Sequence, residues 1–153
     1  MKKIATISRL SFLASLFCLG MTTMAPKAEA QYSFYALTPC RVVDTRNPNG
    51  VNGGPKMTAG RRDFTVRGVC GVPSTAKAVT LNVAITEATS NGYLTLWPSD
   101  QVQPLAATIN FTTFDPALSN GAVVGLSTNT QDLAVYAASN SVHLILDVTG
   151  YFE

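Results

Sequence analysis

Beyond Lys77 this chain contains no lysine or arginine; the charged residues that follow are Glu87, Asp100, Asp115, Asp132, Asp147 and Glu153. Histidine is represented by His143 alone, tryptophan by Trp97 alone, and cysteine by Cys18, Cys40 and Cys70. Each scarcity excludes something. A nucleic-acid-binding face needs a concentrated basic footprint, and the bulk charge offers none. A zinc cage needs several His or Cys ligands. No apolar run approaches the ~20 residues with which a helix crosses a bilayer. Past residue 30, no three-turn window keeps the 3.6-residue period of an amphipathic helix.

What is present begins with a processing signal. Met1-Lys2-Lys3 and Arg9 form a positive start, Leu10 to Leu19 is apolar, and Ala28-Glu29-Ala30 ends the segment. That is the order of a secretory signal peptide, with small residues at the cleavage site. The expected cut follows Ala30. Cys18 is preceded by Phe17 rather than a small residue, which disfavours lipidation there. The twin-arginine pair is missing. Residues 1–30 therefore read as a signal peptide and residues 31–153 as one exported domain of ordinary size.

Removal of the leader shifts the formal charge from +2 to −1, with all seven remaining bases between Arg41 and Lys77. The simplest expectation is that first-half arginines meet second-half carboxylates within one domain. Opposed charge between neighbouring copies is the sharper alternative. Two cysteines remain, Cys40 and Cys70. An even number in an exported chain implies one disulfide. It would close the segment richest in Pro and Gly and contribute roughly 3–4 kcal/mol.

The mature chain reads as strands throughout. In Ala78–Thr86, Val79, Leu81, Val83 and Ile85 share one face, while Thr80, Asn82 and Thr86 share the other. This period of two marks a half-buried strand. Ser141–Phe152 repeats it with Val142, Leu144, Leu146 and Val148. Shorter runs lie at Phe34–Leu37, Arg41–Thr45, Asp63–Val66, Tyr93–Trp97, Thr108–Thr112, Ala122–Ser127 and Leu133–Ala137. Ser90-Asn91-Gly92, Ser119-Asn120-Gly121 and Ser139-Asn140-Ser141 suit tight turns. The expectation is an all-β, β-sandwich-like domain of about nine strands.

Several of these segments, in order, carry a resemblance. Thr38-Pro39-Cys40-Arg41-Val42-Val43-Asp44-Thr45-Arg46 opens the series. Gly68-Val69-Cys70-Gly71-Val72-Pro73, Leu81-Asn82-Val83, Gly92–Pro98 and Ile109-Asn110-Phe111 follow, and Asp147-Val148-Thr149-Gly150-Tyr151-Phe152 closes it. The set resembles a module of bacterial secreted proteins with an RVxDTR start and a DVxGYF end. The resemblance implies a β-sandwich-like extracellular module, often in tandem or attached to secreted enzymes. It implies no activity of its own.

The candidate sites differ in the chemistry they could support. Asp44-Thr45-Arg46 is not an aspartic-protease loop, because that reaction needs two carboxylates sharing a proton. Arg41, Asp44 and Arg46 read instead as a structural charge cluster. His143 would have to serve any catalytic triad, and Asp147, four strand residues away at about 13 Å, is too far to orient it. Asn47 to Gly54 is rich in oxygen but lacks the carboxylates of a Ca²⁺ cage, so it reads as a flexible surface loop. Tyr93 and Trp97 share a strand face and are the candidate sugar-stacking pair. Tyr32–Leu37 is the first strand, or else a strand that residues 31–37 donate to the sheet edge of a second copy.

The sequence thus points to a non-enzymatic protein outside the cytoplasm, released, surface-held or periplasmic. It would mediate attachment or protein–protein assembly, or alternatively bind glycan or cell wall. A secreted hydrolase is the remaining alternative. No catalytic residue, metal or cofactor is expected; the expected partner is an extracellular protein or glycan.

Overall fold

The computed structural model describes residues 31–153, so the signal-peptide reading of residues 1–30 lies outside the described residues. Eight strands form: β1 (Phe34–Asp44), β2 (Gly60–Phe64), β3 (Ala78–Thr86), β4 (Gly92–Pro98), β5 (Ile109–Phe111), β6 (Ala117–Gly125), β7 (Leu133–Ala137) and β8 (His143–Phe152). They make two four-stranded sheets, ordered β1-β8-β3-β6 and β2-β7-β4-β5. Every pairing within them is antiparallel.

The core lies between the sheets. Val79, Leu81, Val83 and Ile85 of β3 join Leu144, Leu146 and Val148 of β8 on one side. Phe64, Leu94, Leu133, Val135 and Phe111 come from the other sheet into the same cluster. Alternation puts one apolar face of each sheet inward, and removing both faces from water is the main driving force for the pairing. The fold is an all-β sandwich with one disulfide, Cys40–Cys70.

Eight strands replace the expected nine because Phe34–Leu37 and Arg41–Thr45 are parts of one strand. β1 pairs along β8, and its register slips between Ala36 and Cys40 and again between Arg41 and Val43. Pro39, which has no N–H to donate, stands in the first irregularity. The three expected turns are corrected too. Ser119-Asn120-Gly121 lies inside β6, where it pairs in turn with Ala84, Val83 and Asn82 of β3. Nine consecutive partners on a long neighbour outweigh the local turn preference. Ser90-Asn91-Gly92 and Ser139-Asn140-Ser141 do not close hairpins, since each leads from one sheet to the other. They meet each other instead, with Asn140 N–H donating to Ser90 Oγ at 2.9 Å. A side chain at Gly92 would strike the Ala138 carbonyl, so this crossing needs glycine.

A bulge in β8 explains the end of the closing motif. Thr80 pairs with Gly150 and Leu81 with Val148, leaving Thr149 as the extra residue. The bulge swaps faces, so that Tyr151 follows Val79 onto the inner side and stacks on Tyr35 at 5.1 Å. The ring of Phe34 lies over Gly150, where an added Cβ would come within 2.6 Å of its Cζ.

Candidate functional site

The opening and closing motifs are neighbours in space, with Arg41 opposite Asp147 in the β1–β8 register. Arg41 donates from Nε to Asp147 Oδ1 at 2.8 Å and from Nη1 to Asp44 Oδ2 at 3.4 Å. Arg46 grips Asp44 from Nε at 2.9 Å and Nη2 at 2.7 Å, and adds its backbone N–H at 3.1 Å. The three residues of the expected charge cluster are therefore together, with Asp147 as a fourth. The Arg46 side-chain bonds lead in holding the Asp44 carboxyl down at about 2, against a burial penalty that pushes it up.

This has a pH consequence. Because the folded pKa lies below the ordinary 3.8, the contribution is present above that value and fades as pH falls toward about 2. The full shift corresponds to roughly 2 kcal/mol. The Asp44 side chain is 6% exposed but its arginine partners are 48% and 44% exposed, so screening reduces the figure to about 1 kcal/mol. Asp44→Asn should therefore be destabilised by about that amount near neutral pH. The gap from the unsubstituted protein should close in acid. Urea unfolding at the two extremes measures it, and an equal gap at both would contradict this account.

His143 sits beside the cluster. Its Nδ1 is 3.0 Å from Thr45 Oγ1, and its Nε2 is 3.7 Å from Glu87 Oε2, which also takes a 2.8 Å bond from Lys56. The acid near His143 is thus Glu87, just past the end of β3, a neighbour that spacing along β8 does not reveal. The Thr-His-Glu row is buried at its hydroxyl end. Thr45 is 2% exposed, and its Oγ1 accepts the Leu144 N–H at 2.8 Å. Burial lowers the His143 pKa, assisted by the Lys56 charge and opposed by Glu87.

The Tyr93–Trp97 pair is not an exposed platform. Leu94 and Leu96 do face the core, yet on the outer face Trp97 is only 3% exposed while Tyr93 is 36% exposed. The chain after β4 folds back, and Trp97 Nε1–H donates to the Gln101 carbonyl at 3.0 Å. Arg61 lies over the indole at 5.4 Å, itself held by Asp63 and by the Ser99 carbonyl. The small Ala134 stands between Trp97 and Asp63 in the strand row, leaving room for this contact. Tyr93 instead meets Tyr136, with ring centres 6.2 Å apart.

The Asn47–Gly54 segment is ordered, not a free loop. Arg62 donates to the carbonyls of Pro55 at 2.9 Å, Gly50 at 2.6 Å, Gly53 at 2.7 Å and Gly54 at 3.0 Å. Asn52 adds a two-way pairing with the Thr65 backbone. The oxygen-rich loop does hold a cation, and the cation is a guanidinium of its own chain. Sequence reasoning missed Arg62. The available signal was a cluster of carbonyls with no carboxylate, which calls for a positive charge from elsewhere.

Charge pairing across the halves is partial. Arg41–Asp147 and Lys56–Glu87 join first half to second, whereas Arg46–Asp44 and Arg61–Asp63 are local. Arg67 goes to the carbonyls of Ala76 and Leu126. Asp132 is buried and accepts the backbone N–H groups of Val66 at 2.8 Å and Arg67 at 2.9 Å.

The stretch Gln101–Gln131 holds β5, β6 and their loops. Asp115 is the one charged residue in that span. Val102, Leu105 and Phe114 project almost wholly into solvent, and Val123 is largely exposed. Asn120 Nδ2 donates to the Thr108 carbonyl at 2.7 Å, tying the edge of one sheet to the other. Among the described residues no buried side-chain nitrogen or oxygen lacks a partner, and no three His, Cys, Asp or Glu side chains converge on one point.

Fold and surface together define a disulfide-linked, two-sheet β-sandwich whose Gln101–Gln131 stretch carries a single charged residue. No protein-family model matches the chain, and no curated protein matches it.

Proposed function

We propose that this chain is a non-enzymatic extracellular module that mediates protein–protein assembly or attachment. The observation that carries the reading is the stretch Gln101–Gln131, in which Asp115 is the one charged residue and Val102, Leu105 and Phe114 stand free in water. Nearly full exposure of three large apolar side chains exceeds the single stray apolar residue of an ordinary soluble surface and favours an interaction role. The Cys40–Cys70 disulfide agrees with an oxidising compartment, and the leader-like first thirty residues and the resemblance to secreted bacterial modules point the same way. Among the described residues no helix is long and apolar enough to cross a membrane.

The test replaces Val102, Leu105, Phe114 and the exposed Val123 of β6 together by Asp. None of these side chains is in the core, so the circular dichroism and melting of the variant should match the parent. The parent, produced from the full chain in its own cells, should be recovered in chemically cross-linked species above monomer mass. The quadruple variant should be recovered chiefly as monomer. An unchanged cross-linking pattern would overturn the reading.

A further inference from the structure

The four sheet edges are not equally protected. Unpaired edge strands invite further strands, and proteins guard them with charge, proline, bulges or brevity. β1 has two register irregularities, Pro39 and the Arg41–Asp44 cluster. β2 carries Arg61, Arg62 and Asp63. β5 is only 3 residues long. β6 has none of these defences. Its 9 residues, ALSNGAVVG, are uncharged and free of proline. They pair with β3 in unbroken register from Ala117 to Gly125. Among the described residues, no strand pairs with its other edge.

We infer that β6 pairs with β6 of a second copy of this chain, antiparallel about a two-fold axis through Gly121, joining two sheets into one. This rests on the assembly reading and names its partner. The choice of a second copy follows from charge and symmetry. A two-fold axis sets every group against its own counterpart or a near neighbour, so any charge on the strand would face like charge; β6 has none. A charged partner strand would find no complement here. Gly121 is the middle residue of β6, and full overlap of two such strands places the axis there. Ser119 then faces Val123, and Leu118 faces Val124. A Cβ at Gly121 would meet nothing within 4 Å, so the centre is open to close approach. The alternative donor, residues 31–37, is engaged within its own chain: Phe34, Tyr35 and Ala36 pair with Phe152, Tyr151 and Gly150.

The experiment uses the full chain as its cells process it, purified and followed by sedimentation over a range of concentrations. The parent should show a monomer–dimer equilibrium. Val123→Lys, whose side chain lies on the outer face away from the core, should weaken that equilibrium by at least about tenfold. Gly121→Cys should form a covalent dimer on mild oxidation, because opposed residues of antiparallel strands sit about 5 Å apart, within disulfide reach. Dimer that survives Val123→Lys and yields no Gly121→Cys cross-link would overturn the β6 pairing but leave assembly through another surface standing. So would a cross-link from Gly121→Cys on one copy to Ala36→Cys on its neighbour, which would mark strand donation. A parent that stays monomeric at every concentration, yet joins a different protein, would overturn the pairing and keep the broader reading.

Discussion

Replacing Cys40 and Cys70 together by Ser should lower the unfolding free energy by about 3–4 kcal/mol. The bond spans a sequence separation of 30 residues and joins edge strand β1 to the turn before β3. Without it the unfolded chain regains the freedom of that long loop. The native chain also loses its anchor at the place where β1 is least regular, since Cys40 directly follows the first register slip. The turn on the other side holds itself by few bonds, among them Gly68 N–H to the Val72 carbonyl at 2.8 Å and Val72 N–H to the Val69 carbonyl at 3.0 Å. Thermal unfolding should drop by roughly 10–20 °C for a domain of this size. Treating the parent with a thiol reductant should reproduce most of the loss. A change below about 1 kcal/mol would mean the bond contributes little beyond ordinary surface contacts.

Arg62→Met should cost about 2–4 kcal/mol, most of it from backbone carbonyls that lose a charged donor. The Pro55, Gly50, Gly53 and Gly54 oxygens converge on one guanidinium, and that group also covers the Phe64 ring at 4.8 Å. Met can keep the cover but cannot donate. Burial already lowers the Arg62 pKa, so the cation carries a desolvation cost that these oxygens help to offset. Hydrogen exchange in residues 47–55 should accelerate more than in β3 or β8, which localises the damage to the loop. Arg62→Lys should recover part of the loss, because an ammonium keeps the charge but not the planar fork. Equal exchange rates in the loop of Arg62→Met and parent would contradict this role.

Much of the fold was legible because it depends on period. Val79, Leu81, Val83 and Ile85 had to share a face, and so did Leu144, Leu146 and Val148; all are buried. The Cys40–Cys70 pair followed from counting. The site was less legible. Period two put Tyr93, Thr95 and Trp97 on one face but could not show that the chain after β4 and Arg61 cover Trp97. The Glu87 neighbour of His143 and the Arg62 grip on the 47–55 loop join residues distant along the chain, and no spacing rule reaches them.

Local chemistry along the chain determined that this protein is made of strands, which faces turn inward, and that two thiols are available to close a loop. Alternation and residue type are properties of each segment, so they are readable before folding. Tertiary structure alone decided that Ser119-Asn120-Gly121 is strand rather than turn, that Trp97 is covered, and that β6 is left as an undefended edge. Those outcomes depend on what lies across the sheet or over its face, and that is settled by competition among long-range partners.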